Sequence, residues 1–240
     1  MNPVRLDPQG PFKRDPLAPH QMRDRLTRTQ DAFVLCHLGV PRIERDPWSL
    51  TIDGMVGRPR TLRFDDLVRY PKTEVASVHQ CCSSPFAPFE PTRRVCNMRW
   101  SGVRLVDVLA DCQPSAAAQY IWSYGADFGE FSGVVVDAYV KDLPIGRVEA
   151  DVLIGYEMNG SALPSEHGFP ARLVVTGFYG TNSVKMAHPN NAWRETGAGT
   201  IHNALVQRPG AGWHRRGNRQ NHAGHACAYS RFKLRRREIL

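Results

Sequence analysis

Apolar residues come in short runs between positions 33 and 185, and the runs carry two different periods. Trp48-Ser-Leu-Thr-Ile-Asp53-Gly54 alternates apolar and polar positions and ends in Asp-Gly, which predicts a strand closed by a tight turn. Residues 62–70 place Leu62, Leu67 and Tyr70 at helical spacing before Pro71, which predicts a helix stopped by the proline. A β-rich run with Val75 and Val78 leads to Cys81, followed by a loop carrying Pro85, Pro88 and Pro91. Residues 97–102 predict a strand and turn, and residues 103–112 a helix that ends before Pro114.

The second half of the chain continues in the same way. Strands are predicted at 120–124 and 133–136, then a connector over 139–144, and a strand over 152–158 ending in the Asn159-Gly160 turn. Residues 163–175 form a loop feeding another strand, and 177–185 a glycine-punctuated loop that ends on Lys185. Residues 33–41 read as a short strand running into a turn. Strands and helices mix without a βαβ rhythm, so the class is α+β, with mixed sheets and short helices. No internal repeat, GxGxxG pattern or P-loop is present. Three segments follow: an arm over 1–31 that wraps the domain or stays mobile, a domain over 32–185, and a tail over 186–240.

Charge sharpens that division. The chain of 240 residues carries a net charge of +8 with 42% hydrophobic residues. Ten Lys/Arg and two Asp/Glu lie in the tail, while residues 1–185 hold twenty-one of each sign. The basic balance therefore belongs to the tail, where His188, His202, His214, His222 and His225 also fall. A basic nucleic-acid arm or a metal-binding tract fits that composition. A disordered tail fits it better, because interleaved aromatics and regular ligand spacing are missing. A charge-neutral core argues against nucleic acid as a partner. No run approaches the ~18 apolar residues of a membrane span, and no apolar leader opens the sequence, so a cytoplasmic, reducing setting is expected.

Chemistry concentrates in three places. Val78-His-Gln-Cys81-Cys82-Ser-Ser-Pro85 delivers adjacent cysteines into a polar turn. Neighbouring cysteines bridge poorly because the small ring strains the disulfide. A thiolate at a strand end suits a soft metal or a nucleophilic role, and a buried, inert thiol is the competing reading. His167 with Arg172, and Ser183 with Lys185, flank an apolar strand within glycine-bearing loops. Glycines let the backbone approach an anion, and the basic side chains supply the opposite charge. A thiolate plus a distant anion clamp suits a cofactor with a soft metal at one end and a phosphate at the other, as in molybdopterin. His37 reads either as a cofactor contact or as a hydrogen-bonded histidine at a strand end.

Longer motifs add a resemblance. FVLCHLGVP, VHQCCSSP, PTRRVCNMRWSGVRLVDVL, YIWSYGAD, YEMNGSALPSEHGFPARLVV and GFYGTNSVK, spread between Phe33 and Lys185, are similar to the sulfite-oxidase family of molybdenum-cofactor enzymes, specifically its haem-free bacterial members. The resemblance implies a sulfite-oxidase-type molybdopterin-binding fold and oxygen-atom transfer at molybdenum, reset by an electron carrier such as a cytochrome. It implies Cys81 as the metal ligand and Cys82 as packing. His167, Arg172, Ser183 and Lys185 would hold the pterin and its phosphate, with His37 close by. Tyr139 would line the substrate pocket and donate a hydrogen bond to the transferring oxygen.

Departures from the family pattern redirect the substrate. Leu35 and Cys36 stand where sulfite oxidases carry an arginine and an asparagine, and Ser84, Pro85 and Phe86 replace the arginines after the cysteine. A dianion such as sulfite needs such charges, which Arg93 and Arg94 are the candidates to replace; the substrate is left open between a sulfite-like anion, which these departures disfavour, and an S- or N-oxide. A non-catalytic, cofactor-poor descendant acting as a binding protein is the alternative.

Overall fold

The strand that delivers Cys81 belongs to one of the two five-stranded sheets that organise the domain. The computed structural model describes residues 4–84, 94–131, 133–148 and 151–185, together with the backbone of 204–207. The strands, in chain order, are β1 (Arg5–Gln9), β2 (Phe12–Arg14), β3 (Val34–Cys36), β4 (Gly39–Arg42), β5 (Ser49–Gly54), β6 (Arg60–Arg63), β7 (Lys72–Gln80) and β8 (Val95–Arg104). They continue as β9 (Tyr120–Tyr124), β10 (Gly129–Phe131), β11 (Val134–Val136), β12 (Val140–Pro144), β13 (Val152–Met158), β14 (Ser161–Ala162), β15 (Arg172–Val175) and β16 (Ala204–Gln207). Among the described residues two short α-helices, α1 (Phe64–Leu67) and α2 (Leu105–Cys112), and several single 3-10 turns, one of them Ser165–His167, complete the list.

One sheet is antiparallel throughout, with β7 at an edge, then β8, then β13, and both β14 and β15 along the far side of β13. β13 is almost continuously apolar, as a central strand covered on both faces must be. Alternate residues part: Val152, Ile154 and Tyr156 join the main core with Leu105, Val108 and Leu109 of α2, whereas Leu153 joins Trp100, Met98 and Cys96 beneath the site. Each Val or Leu of α2 buried this way contributes about 1.5–3 kcal/mol. α2 stops where predicted, on Gln113 in the left-handed conformation just before Pro114. The second sheet runs β12-β9-β16-β5-β6, with β16 parallel to β5 and antiparallel to β9.

Several expectations need correction. The predicted helix over 62–70 shrinks to α1, because Arg60–Arg63 alternates with only Leu62 buried and pairs with β5 instead. No turn occurs at Gly102. β8 runs on to Arg104, and Gly102 faces Gly155 so closely that a Cβ there would strike the Ile154 carbonyl. The connector over 139–144 contains β12, paired with β9 along its length. The N-terminal arm wraps the domain, since β1 pairs with β4 and β2 with β3. The tail's expected lack of order lies outside the described residues, apart from Ala204–Gln207, which form a strand between β5 and β9.

Candidate active site

β7 and β8 form a long hairpin, and its tip holds Cys81. Cys81 N–H donates to the Arg94 carbonyl (2.9 Å), and Ser84 N–H donates back to the Cys81 carbonyl (3.0 Å), so backbone bonds fix the turn. Cys81 Sγ sits 3.1 Å from Ser83 Oγ. The thiol is buried and lines a cavity that His37, Tyr139, His167, Arg172, Ser183 and Lys185 also line. All seven residues singled out from the sequence therefore meet in one place.

The far wall is basic and rigid. Arg172, at the start of β15, is buried and donates to the carbonyls of His167 (2.9 Å) and Ser183 (2.7 Å), with its guanidinium 5.0 Å from the Trp100 ring centre. Burial lowers its pKa to about 10. Lys185 Nζ donates to the carbonyls of Leu35 (3.2 Å) and Glu166 (3.1 Å) and to Cys36 Sγ (3.1 Å). Among the described residues the hydrogen-bond partners of both cations are carbonyls and one thiol, none of them a carboxylate. Gly168 makes this closeness possible: at φ +109° its missing Cβ leaves room for Arg172 and Lys185. Ser183 Oγ accepts from Val175 N–H (3.0 Å), which keeps its own proton available to the cavity.

Neutral histidines share the wall with these cations. Burial, then Lys185, Arg172 and Arg14, drive His167 down to about 2. Burial and then Arg172 take His79 down to about 3, and burial and Lys185 also lower His37. Tyr139, just before β12, donates its hydroxyl to the Thr181 carbonyl (3.0 Å). Asp127 also lines the cavity, and burial raises its pKa to about 6 against the pull of Lys185. Cys96 is pushed up to about 12 by burial and stays a neutral thiol.

Some residues of the site are not singled out by sequence reasoning. Arg14 of β2 reaches in from the arm, 3.1 Å from His167 Nε2 and 3.2 Å from Glu166 Oε1. Nothing in the sequence around Arg14 signals this. His79 was findable, because residues 79 and 81 fall on one face of a strand. Its Nε2 is buried and has no hydrogen-bond partner among the described residues.

An orphaned ring nitrogen, a buried Arg172 and a half-buried Lys185 that form no ion pair among the described residues, and the Cys81 sulfur at the end of the hairpin make this a site for an anionic cofactor carrying a soft metal. Among the described residues no group of three or more His, Cys, Asp or Glu could hold a metal ion. The lining fits molybdopterin on these grounds.

Comparisons with known proteins agree. Residues 37–189 match the oxidoreductase molybdopterin-binding domain, and the chain belongs to that family, whose cofactor is the molybdenum-bearing pterin. Over 200 residues it is 34% identical to sulfite oxidase of Gallus gallus, covering 76% of this chain and 42% of that protein. Mitochondrial sulfite oxidase of Rattus norvegicus is 32% identical over 198 residues (76% and 36%), and NADH nitrate reductase of Ulva prolifera 32% over 199 (76% and 23%). The chain thus spans less than half the length of each. The crystal structure of the sulfane dehydrogenase SoxCD from Paracoccus pantotrophus superposes with a TM-score of 0.63 at 28% identity, over 69% of this chain and 43% of that one. The sulfite-oxidase-type fold is therefore shared. Among the described residues no helix is long and apolar enough to cross a membrane.

Proposed function

We propose that this chain is a molybdenum-cofactor-dependent oxidoreductase that moves an oxygen atom to or from a small substrate, with Cys81 as the protein's ligand to the metal. The observation that carries this is the convergence of Cys81 with His37, Tyr139, His167, Arg172, Ser183 and Lys185 on one cavity. When bound, the cofactor supplies oxygen-atom transfer and a two-electron redox cycle.

The protein's own groups bind and orient. The Cys81 thiolate anchors the metal end and adds a soft donor. Lys185 and Arg172 offset the phosphate charge at the other end, and His167 and the Ser183 hydroxyl add oriented hydrogen bonds. The neutral state of His167 keeps one ring nitrogen able to accept, as its contact with Arg14 requires. Tyr139 lines the cavity with its one hydroxyl proton given to the Thr181 carbonyl (3.0 Å), so in place of the expected donation to the transferring oxygen it would shape the substrate pocket and present an acceptor oxygen.

Lining chemistry supports an S- or N-oxide over sulfite. Phe33, Leu35 and Met98 face the cavity, and its cationic lining among the described residues is Arg172 and Lys185, both already donating to carbonyls. A dianion at the metal would face cations already engaged with carbonyls or, in Arg94, one set behind Ser83 rather than in the lining. Electrons are exchanged with a carrier such as a cytochrome, in a reducing, cytoplasmic setting that the free thiols of Cys36, Cys81 and Cys96 support.

Metal and pterin analysis after expression with cofactor supply tests the reading. One molybdenum per chain is expected, with turnover of a sulfoxide or amine oxide exceeding that of sulfite. No metal and no pterin would leave the binding-protein descendant in its place.

A further inference from the structure

The turn that presents Cys81 contains a hydrogen-bond chain whose direction is fixed at both ends. Arg94 NH1 lies 2.8 Å from Ser83 Oγ, and Ser83 Oγ lies 3.1 Å from Cys81 Sγ. A guanidinium has donors only, so the serine oxygen accepts from Arg94. A hydroxyl has one proton, and that proton is left for the sulfur. A metal-bound thiolate can only accept, which sets the same direction from the other end.

The backbone of Arg94 is tied to the turn that carries the ligand. The Arg94 carbonyl accepts from Cys81 N–H, and the Arg94 N–H donates to Ser84 Oγ at 3.0 Å. The Arg94 Nε is buried and has no partner among the described residues, so part of the guanidinium is withheld from water beside the turn. Its positive charge polarises the Ser83 hydroxyl toward the sulfur.

We propose that Ser83 and Arg94 are positioning residues that set how strongly the Cys81 sulfur donates electrons to the bound metal. The proposal rests on the reading of Cys81 as metal ligand. A hydrogen bond to a ligating thiolate draws electron density from the sulfur, weakens its donation, and so favours the reduced metal and raises the reduction potential. Ser83 is the tuning group, and Arg94 sharpens it through the hydroxyl.

The test uses cofactor-loaded wild type, Ser83→Ala, Ser83→Thr, Arg94→Leu and Cys81→Ser. Molybdenum content, the midpoint potential from an optical redox titration, and the sulfur-to-metal charge-transfer absorption are measured for each. Ser83→Ala is expected to lower the midpoint potential and move the absorption to longer wavelength at unchanged metal content. Arg94→Leu should shift both in the same direction by less, and Ser83→Thr, which keeps the hydroxyl, should restore wild-type values. If Ser83→Ala does not fold, the Arg94→Leu shift decides. Unshifted potential and absorption in metal-replete variants overturn the relay while leaving the ligand assignment intact. A charge-transfer band that survives Cys81→Ser, or a wild type without metal, overturns the ligand assignment itself.

Discussion

The two ends of the cavity are built on opposite plans. At one end a single sulfur, Cys81, is fixed by the backbone bonds of one turn, within a single hairpin. At the other end Arg14, His167, Arg172 and Lys185 come from an arm, a short helical turn, a strand and a loop, cross-braced through carbonyls. A metal–sulfur bond is specific to one atom, so it needs one well-placed residue. Charge acts over distance and adds up, so that end spreads its task over several groups. The thiol end should therefore fail completely on one substitution, and the basic end by degrees.

Mutation can break that contrast. Cys81→Ser should abolish oxygen transfer, while Cys82→Ser, next to it and partly exposed, should retain it; equal loss in steady-state assays of both would erase the distinction. Arg172→Ala comes next, because it strips donors from two buried carbonyls and removes a cation from the wall. A stability loss of about 3 kcal/mol is expected along with reduced pterin content, read by denaturant titration and mass spectrometry. Lys185→Ala should cost only about 1 kcal/mol of stability while still lowering cofactor occupancy, because its partners stay near the cavity. Full occupancy in the Lys185 variant would show that the basic end is not shared work.

A last prediction, confined to pH dependence in cofactor-free protein, sharpens the electrostatics between the two ends. Asp127 has its pKa raised from 3.8 to about 6 in the folded chain, so the folded state binds the proton more tightly than the unfolded one. Its contribution to stability is fully present below pH 3.8 and is lost as pH rises through about 6, amounting to about 3 kcal/mol at most. In cofactor-free protein, Asp127→Asn should remove that slope, so that the variant gains on the wild type between pH 4 and 7 in denaturant titrations. Parallel pH profiles would place the Asp127 carboxyl in an unperturbed environment.

Local rules reached some parts of the fold and not others. The strand around Trp48 and Ile52 and the end of α2 before Pro114 were legible, because alternation and a proline stop are local signals. Residues 62–70 misled, since Leu62 and Leu67 fit a helical period while Leu62 actually pairs with Leu50 across a hairpin. Val140–Pro144 buries mainly Leu143 and lacks a period of its own, so only its partner β9 makes it a strand. For the site, long motifs brought out the seven lining residues. Arg14 stayed hidden because its role exists only once β2 pairs with β3 and lays it against His167.

The wide spacing of the lining residues along the chain bears on the order of biosynthesis. Cys81 leaves the ribosome about a hundred residues ahead of Lys185, which at typical translation rates is on the order of 5–20 s. Over that interval a nascent chain could offer a molybdenum carrier its sulfur but not the lysine that caps the opposite wall. On the proposed assignment, insertion of the metal group would have to wait until both segments have been made and brought together.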